Sequence, residues 1–129
     1  MASILVVEDT ADILDILTRQ LRYAGHDVIS AINGIEGIAS ALAHTPDLIL
    51  MDLVMPMLSG WDAIKELKAD ARCADLPILA MSARALAETQ ELARAVGCDA
   101  FISKPFTMVE LFTAVDALTG VAKSVANSC

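Results

Sequence analysis

Four short, unbroken apolar runs mark the chain: Ile4–Val7, Leu48–Met51, Ile78–Met81 and Phe101–Ile102. A fifth, more polar run covers Val28–Ile32. Apolar runs without polar alternation suit parallel strands covered on both faces, and the more polar run suits a sheet edge. Between the runs the period changes to that of a helix. Ile13, Ile16, Leu17, Leu21 and Ala24 recur at helical steps, as do Ile35, Ile38, Ala39 and Leu42. Trp61, Ile64 and Leu67 form a third stripe, and Met108, Leu111, Phe112, Val115 and Leu118 a last one. The stretch Ala85–Val96 is rich in Ala, and its apolar face is weak. Such stripes predict helices laying one face on the sheet.

The punctuation agrees. Gly25 and Gly97 stand where helices should stop. Thr107 with Glu110 reads as a capping box, and Asn33 with Glu36 as a looser version. Residues after Val121 are small, polar and without period, which predicts a frayed tail. The order is strand–helix five times over, so the fold class is α/β: a parallel sheet with helices on both faces and right-handed crossovers. The length of 129 residues fits one domain. We place it at residues 1–120, with a short tail at 121–129.

Composition adds little and excludes more. Hydrophobic residues make up 56% and aromatics 4%, so the core is mostly aliphatic. No apolar segment is long enough to span a bilayer. The N-terminal MASILVVED has no basic region of the kind that opens a signal peptide. The chain therefore reads as soluble and cytoplasmic, with no membrane partner. A net charge of −8 argues against a nucleic-acid surface. Cys73, Cys98 and Cys129 are odd in number and have no CxxC spacing, which supports neither a disulfide framework nor a zinc site. Cys98 reads as a small packed apolar residue. His26 and His44 fall at loop edges and read as solvated.

The informative polar residues follow the apolar runs. The first strand ends at Glu8 and Asp9, the third at Asp52, the fourth at Ser82, and the fifth at Ser103 and Lys104. In an open parallel sheet the C-terminal strand ends share one edge, where ligands bind. Glu8, Asp9, Asp52, Ser82 and Lys104 are thus predicted to converge. Singly, each has a plainer reading. An Asp at a strand end is usually a turn former or cap; a Lys before Pro is usually solvated; Ser82 could cap the next helix. Five such residues at the ends of four strands are hard to explain one by one.

As a set they have one chemistry. Clustered carboxylates repel and raise one another's pKa. A hard divalent cation removes that penalty, and Mg²⁺ takes one or two carboxylates together with phosphate oxygens and water. Lys104 supplies a mobile point charge for a phosphoryl group, and Ser82 a hydroxyl. A carboxylate nucleophile beside Mg²⁺ suits formation of an aspartyl phosphate, a reaction governed by positioning and charge neutralisation.

From Ile4 to about Leu118 the chain closely resembles the receiver domain of bacterial two-component response regulators, especially stand-alone chemotaxis-type regulators. The motifs that carry the resemblance are ILVVED, LILMDLVMPMLSG, ILAMSA and FISKPF. It implies a flavodoxin-like three-layer (βα)5 sandwich with strand order 2-1-3-4-5. It implies that Asp52 is the phosphoacceptor. Asp9, Asp52 and the Val54 backbone carbonyl would ligate Mg²⁺, for which Mn²⁺ may substitute, with Glu8 acting through water. Lys104 and Ser82 would bind the phosphoryl group. Ser82 and Phe101 would form the switch pair, and Val54 and Arg84 would tune dephosphorylation. The Lys104–Pro105 peptide would be cis.

The resemblance also implies partners: a histidine kinase or phosphotransfer protein as donor, and a downstream protein on the face of the fourth helix, fifth strand and fifth helix. The weak apolar face of Ala85–Val96 suits a moving element. The chain would be a monomer or a weak phosphorylation-dependent dimer. The Met1 start and the lack of a basic extension favour a stand-alone switch over a receiver excised from a hybrid kinase or longer regulator. A phosphatase with an aspartyl-phosphate intermediate would place a second Asp two residues after its nucleophile on the first strand, which Glu8-Asp9-Thr10-Ala11 does not. A flavin-binding sandwich would need a Ser/Thr/Gly phosphate loop there, where Glu8 and Asp9 would repel the phosphate.

Overall fold

The computed structural model describes residues 2–55, 57–83 and 87–119. Arg84, the start of the Ala85–Val96 helix, the tail at 121–129 and Cys129 lie outside the described residues. Strands and helices alternate as β1 (Ser3–Val7), α1 (Ala11–Tyr23), β2 (Asp27–Ala31), α2 (Gly34–His44), β3 (Leu48–Asp52), α3 (Gly60–Ala69), β4 (Ile78–Ser82), α4 (Ala87–Val96), β5 (Ala100–Ser103) and α5 (Met108–Thr119). Every strand pair is parallel, and the order across the sheet is β2-β1-β3-β4-β5. This is the flavodoxin-like α/β sandwich that the pattern and the resemblance predict. No helix among the described residues is long and apolar enough to cross a membrane.

The continuous apolar runs serve two cores at once. Successive strand side chains point to opposite faces. Leu5, Val7, Ile49, Met51, Ile78 and Ala80 therefore meet Ala41, Ala63, Ile64, Leu67 and Ala93 from α2, α3 and α4. Their alternates Ile4, Val6, Leu48, Leu50, Leu79 and Met81 meet Leu17, Leu21, Leu111 and Val115 from α1 and α5. The three central strands are buried apart from Ser3 at the start of β1, whereas β2 and β5 are partly exposed along their length, as sheet edges should be.

The helix ends obey the predicted chemistry. Gly25 and Gly97 adopt φ of 96° and 113°, in the left-handed region that glycine tolerates. Thr107 and Glu110 form a reciprocal capping box, with both bonds at 3.1 Å. Asn33 accepts from the Glu36 amide at 2.8 Å, and the Glu36 carboxylate reaches the Ile32 amide.

The helical stripes and one histidine differ from the sequence reading: Ala24, Ala39 and Met108 are exposed. Ile16 and Ile35, placed on buried stripes, are each 53% exposed. In α2 the buried face runs instead through Gly34, Gly37 and Ala41. Small residues let that helix approach β1 closely: a Cβ on Gly37 would stand 2.9 Å from Val7 Cγ2. His26 is not solvated. It is buried, and its Nδ1 accepts the Ala2 amide at 3.1 Å. His44 is exposed, as read. Cys73 and Cys98 are free and buried, and burial pushes the Cys98 thiol up to about 11. Both behave as packed apolar residues.

The α1 correction gives a direct contrast. Leu17→Ala empties a buried site and should cost about 2–5 kcal/mol in urea unfolding. Ile16→Ala, one residue earlier and half in solvent, should cost about 1 kcal/mol or less. Equal losses would restore the original stripe.

Candidate cation and phosphoryl site

The strand ends position the charged groups. The Glu8 amide donates to Ala31 O at 3.1 Å, adding one more rung to the β1–β2 ladder and carrying Glu8 into the interior. Glu8 is fully buried. Its Oε1 accepts from the Thr10 amide at 3.3 Å, and its Oε2 accepts from Lys104 Nζ at 2.9 Å. Asp52 closes β3 and is 4% exposed. Its Oδ1 accepts from the Val54 amide at 3.1 Å, and its Oδ2 lies 3.3 Å from Lys104 Nζ. Asp9 is exposed. Single carboxylate oxygens of Glu8, Asp9 and Asp52 lie within 4.8 Å of one another.

Lys104 reaches this cluster from beyond β5. Its backbone amide donates to the Ser82 carbonyl at 2.8 Å, so the ends of β4 and β5 are tied together. The Lys104–Pro105 peptide is cis. Ser82 is buried, at the end of β4, and pairs in register with Ser103. Four of the five predicted residues are thus brought into one cluster, and Ser82 adjoins it through the Lys104 backbone. Phe101 stands apart. It is half-buried against the core on the α2–α3–α4 side, and with Gln90, Ala93 and Arg94 it lines a cleft of about 210 Å³ between α4 and β5. The Val54 side chain is 67% exposed.

Sequence reasoning passed over two groups. The Val54 amide, not its side chain, orients Asp52. The signal was available, because an Asp at a strand end commonly binds the amide two residues on. Gly60 is the other. A Cβ there would collide with the Asp52 carbonyl oxygen and stand 2.7 Å from Leu53 Cα, so only glycine lets α3 begin against the end of β3.

Charge dominates the site's energetics. Burial pushes the Asp52 carboxyl from an ordinary 3.8 up to about 6. The Val54 amide and Lys104 oppose this shift, and the Glu8 charge adds to it. Burial pulls Lys104 down, but its bond to Glu8 and the charges of Asp52 and Glu8 outweigh that and hold it above its usual range. One ammonium therefore serves two buried carboxylates, while Asp9 stays outside its reach among the ion pairs of the described residues. This donor set, all hard oxygens with excess negative charge, fits a divalent cation such as Mg²⁺.

The Asp52 shift has a pH signature. Below about pH 4 the carboxyl is protonated in both folded and unfolded chains and costs nothing. Above about pH 6 it is ionised in both, and the folded chain carries the full penalty. A shift from 3.8 to about 6 corresponds to about 3 kcal/mol. In cation-free buffer, Asp52→Asn should therefore be more stable than wild type at pH 7.5, by up to about 3 kcal/mol. The gap should close as pH falls towards 4, and Mg²⁺ should narrow it by stabilising the wild type. Urea titrations across pH, with and without MgCl₂, measure it; a gap that does not vary with pH refutes the burial account.

Comparison with known proteins places this edge in context. The family model described as the response regulator receiver domain matches residues 4–116. The chain is 36% identical over 118 residues to the DNA-binding dual master transcriptional regulator RpaA of Synechocystis, an alignment covering 92% of this chain and 49% of that protein. It thus spans about half the length of that relative. It is 33% identical over 120 residues to the polar-differentiation response regulator DivK of Brucella anthropi, covering 93% of this chain and 98% of DivK. The receiver domain of the sensor histidine kinase PA1611 of Pseudomonas aeruginosa, with magnesium coordinated in its active-site cleft, superposes with a TM-score of 0.86 at 32% identity, covering 92% of this chain and 98% of that domain. With family match, strand order and converging acidic edge in agreement, the chain belongs to the response regulator receiver domain family.

Proposed function

We propose that the chain is a cytoplasmic receiver switch of a two-component system, in which Asp52 accepts a phosphoryl group from a histidine kinase or phosphotransfer protein. One observation carries the reading: Asp52, Glu8 and Asp9 form a cation-sized cluster, and Lys104 lies against the acceptor carboxylate. The acceptor is an Asp52 carboxylate oxygen. It attacks the phosphorus of a phosphohistidine, the P–N bond breaks, and the imidazole leaves with the bonding pair. The Val54 amide holds Asp52 Oδ1, which leaves Oδ2 as the candidate nucleophile once Lys104 yields it. Asp9, Asp52 and the Val54 carbonyl would hold Mg²⁺, with Glu8 acting through water; Mn²⁺ would serve in its place. When bound, the cation neutralises charge on the phosphoryl oxygens.

After transfer, the acceptor carries nearly two added charges and new acceptor oxygens. Lys104 is the cation already in place to meet them, and Ser82 would add its hydroxyl. Phe101, half-buried at the cleft beside α4, is then the aromatic whose burial could follow Ser82. The α4–β5–α5 face would carry the change to a downstream protein. The weak hold of α4 supports this: Ala93 is buried, whereas Leu92 is 59% exposed. DivK, 98% covered, supports a stand-alone switch; RpaA, half covered, supports the alternative of a receiver within a longer regulator. We place the domain at 1–120.

Labelling with a phosphorylated histidine kinase should be stoichiometric and Mg²⁺-dependent, and absent in Asp52→Asn. Label persisting in that variant moves the acceptor elsewhere, and continuous phosphate release over many turnovers favours a hydrolase. Val54 presents an exposed hydrocarbon where an attacking water would need a polar guide. Loss of phosphate from the purified domain should be slow, and Val54→Asn should speed it severalfold. An unchanged decay rate would remove Val54 from the timing of the switch.

A further inference from the structure

The loop from Leu53 to Ser59 carries the Val54 backbone beside Asp52 and is gripped from two sides. On one side lies Gly60, whose amide donates to Leu53 O at 3.2 Å. On the other lies Gly34, the first residue of α2. A Cβ on Gly34 would collide with the Leu58 carbonyl oxygen and stand 3.1 Å from both the Leu58 carbonyl carbon and Leu58 Cβ. The absence of a side chain at Gly34 is not a demand of its backbone, because only Gly25 and Gly97 among the described glycines have positive φ. What Gly34 requires is space. Nor can it turn aside: the Asn33 cap fixes the first turn of α2 through the Glu36 amide at 2.8 Å. Within the gripped loop, Met57 adopts φ of 69°, a left-handed conformation unfavourable for a residue with a Cβ. Such strain persists only where surrounding contacts over-determine it.

We infer that Gly34 is a positioning residue for the cation site. It seats α2 against the Leu58 backbone and so holds the β3–α3 loop in the shape that brings the Val54 backbone to Asp52. Gly60 is the opposing jaw. The inference rests on the cation reading given above and adds a residue that touches neither cation nor phosphoryl group. A methyl group at position 34 would press the Leu58 carbonyl away and so disturb the backbone that Val54 presents to Asp52.

The test uses the full chain and MgCl₂ titration, followed by the fluorescence of Trp61, the only tryptophan, and by melting temperature. Gly34→Ala should weaken Mg²⁺ affinity by about tenfold or more, as changes behind a ligand typically do. Gly25→Ala is the control. It strains a φ of 96° in open space at the far end of the sheet, so it should lower the melting temperature yet leave the affinity within about twofold. Should Gly34→Ala fail to fold, Asn33→Ala, which frays the same helical turn without a clash, should also weaken binding. Wild-type affinity in a folded Gly34→Ala, or equal weakening by Gly25→Ala, overturns the inference. A wild-type chain with no saturable response by either readout overturns instead the cation reading on which it rests.

Discussion

The constraint on which this molecule turns is the crowding of negative charge at one end of the sheet. Two carboxylates, Glu8 and Asp52, are buried there, and a third, Asp9, stands beside them. Burying a charge is costly unless it is paired. Lys104 meets that demand with a single ammonium shared between the two buried groups. The sharing is incomplete: burial, with the Glu8 charge beside it, outweighs the Val54 amide and Lys104 and raises the Asp52 carboxyl. A site left short of positive charge in its resting state is one that a cation can enter with gain.

The remainder of the fold supplies the rigidity that makes such crowding sustainable. Three central strands are buried on both faces by aliphatic side chains, and each strand brings a polar residue to the same edge as it leaves the core. Because the sheet is parallel, every strand ends at that edge after its apolar run, and every connection starts there. The loops then differ in how firmly they are held. The β3–α3 loop is tied by the Val54 amide and by close backbone contacts at Gly34 and Gly60. Among the described side chains of α4, Ala93 is buried and Leu92 is 59% exposed.

Much of this was legible in the residues alone, for physical reasons that also explain what was not. Short unbroken apolar runs, set between helical stripes, suit strands covered on both sides, so β1, β3 and β4 could be read almost to the residue. The convergence of Glu8, Asp9, Asp52 and Lys104 followed from parallel topology and needed no knowledge of distances. Helical period, by contrast, identifies a stripe without fixing its phase. Ile16 and Ile35 sat within the stripes, yet neighbouring positions carry the burial in their helices. Contacts made by small residues leave no hydrophobic signal, so the close approaches at Gly34, Gly37 and Gly60 were invisible. His26 escaped for another reason: its partner is a backbone amide 24 positions away, and nothing in the chain advertises such a pairing.

The Lys104–Glu8 bond joins residues 96 positions apart. It closes almost the largest loop the domain contains, and loop closure is paid in chain entropy before any contact returns it. The acidic edge is therefore assembled from opposite ends of the domain. Glu8 leaves β1, Asp52 closes β3 and Lys104 follows β5, so β1, β3, β4 and β5 must lie side by side before the ammonium and its two carboxylates can meet. A partly folded chain carries Asp52 without the ammonium and the second carboxylate that surround it in the finished sheet. A cation entering at this edge would meet its carboxylates together only in the assembled sheet.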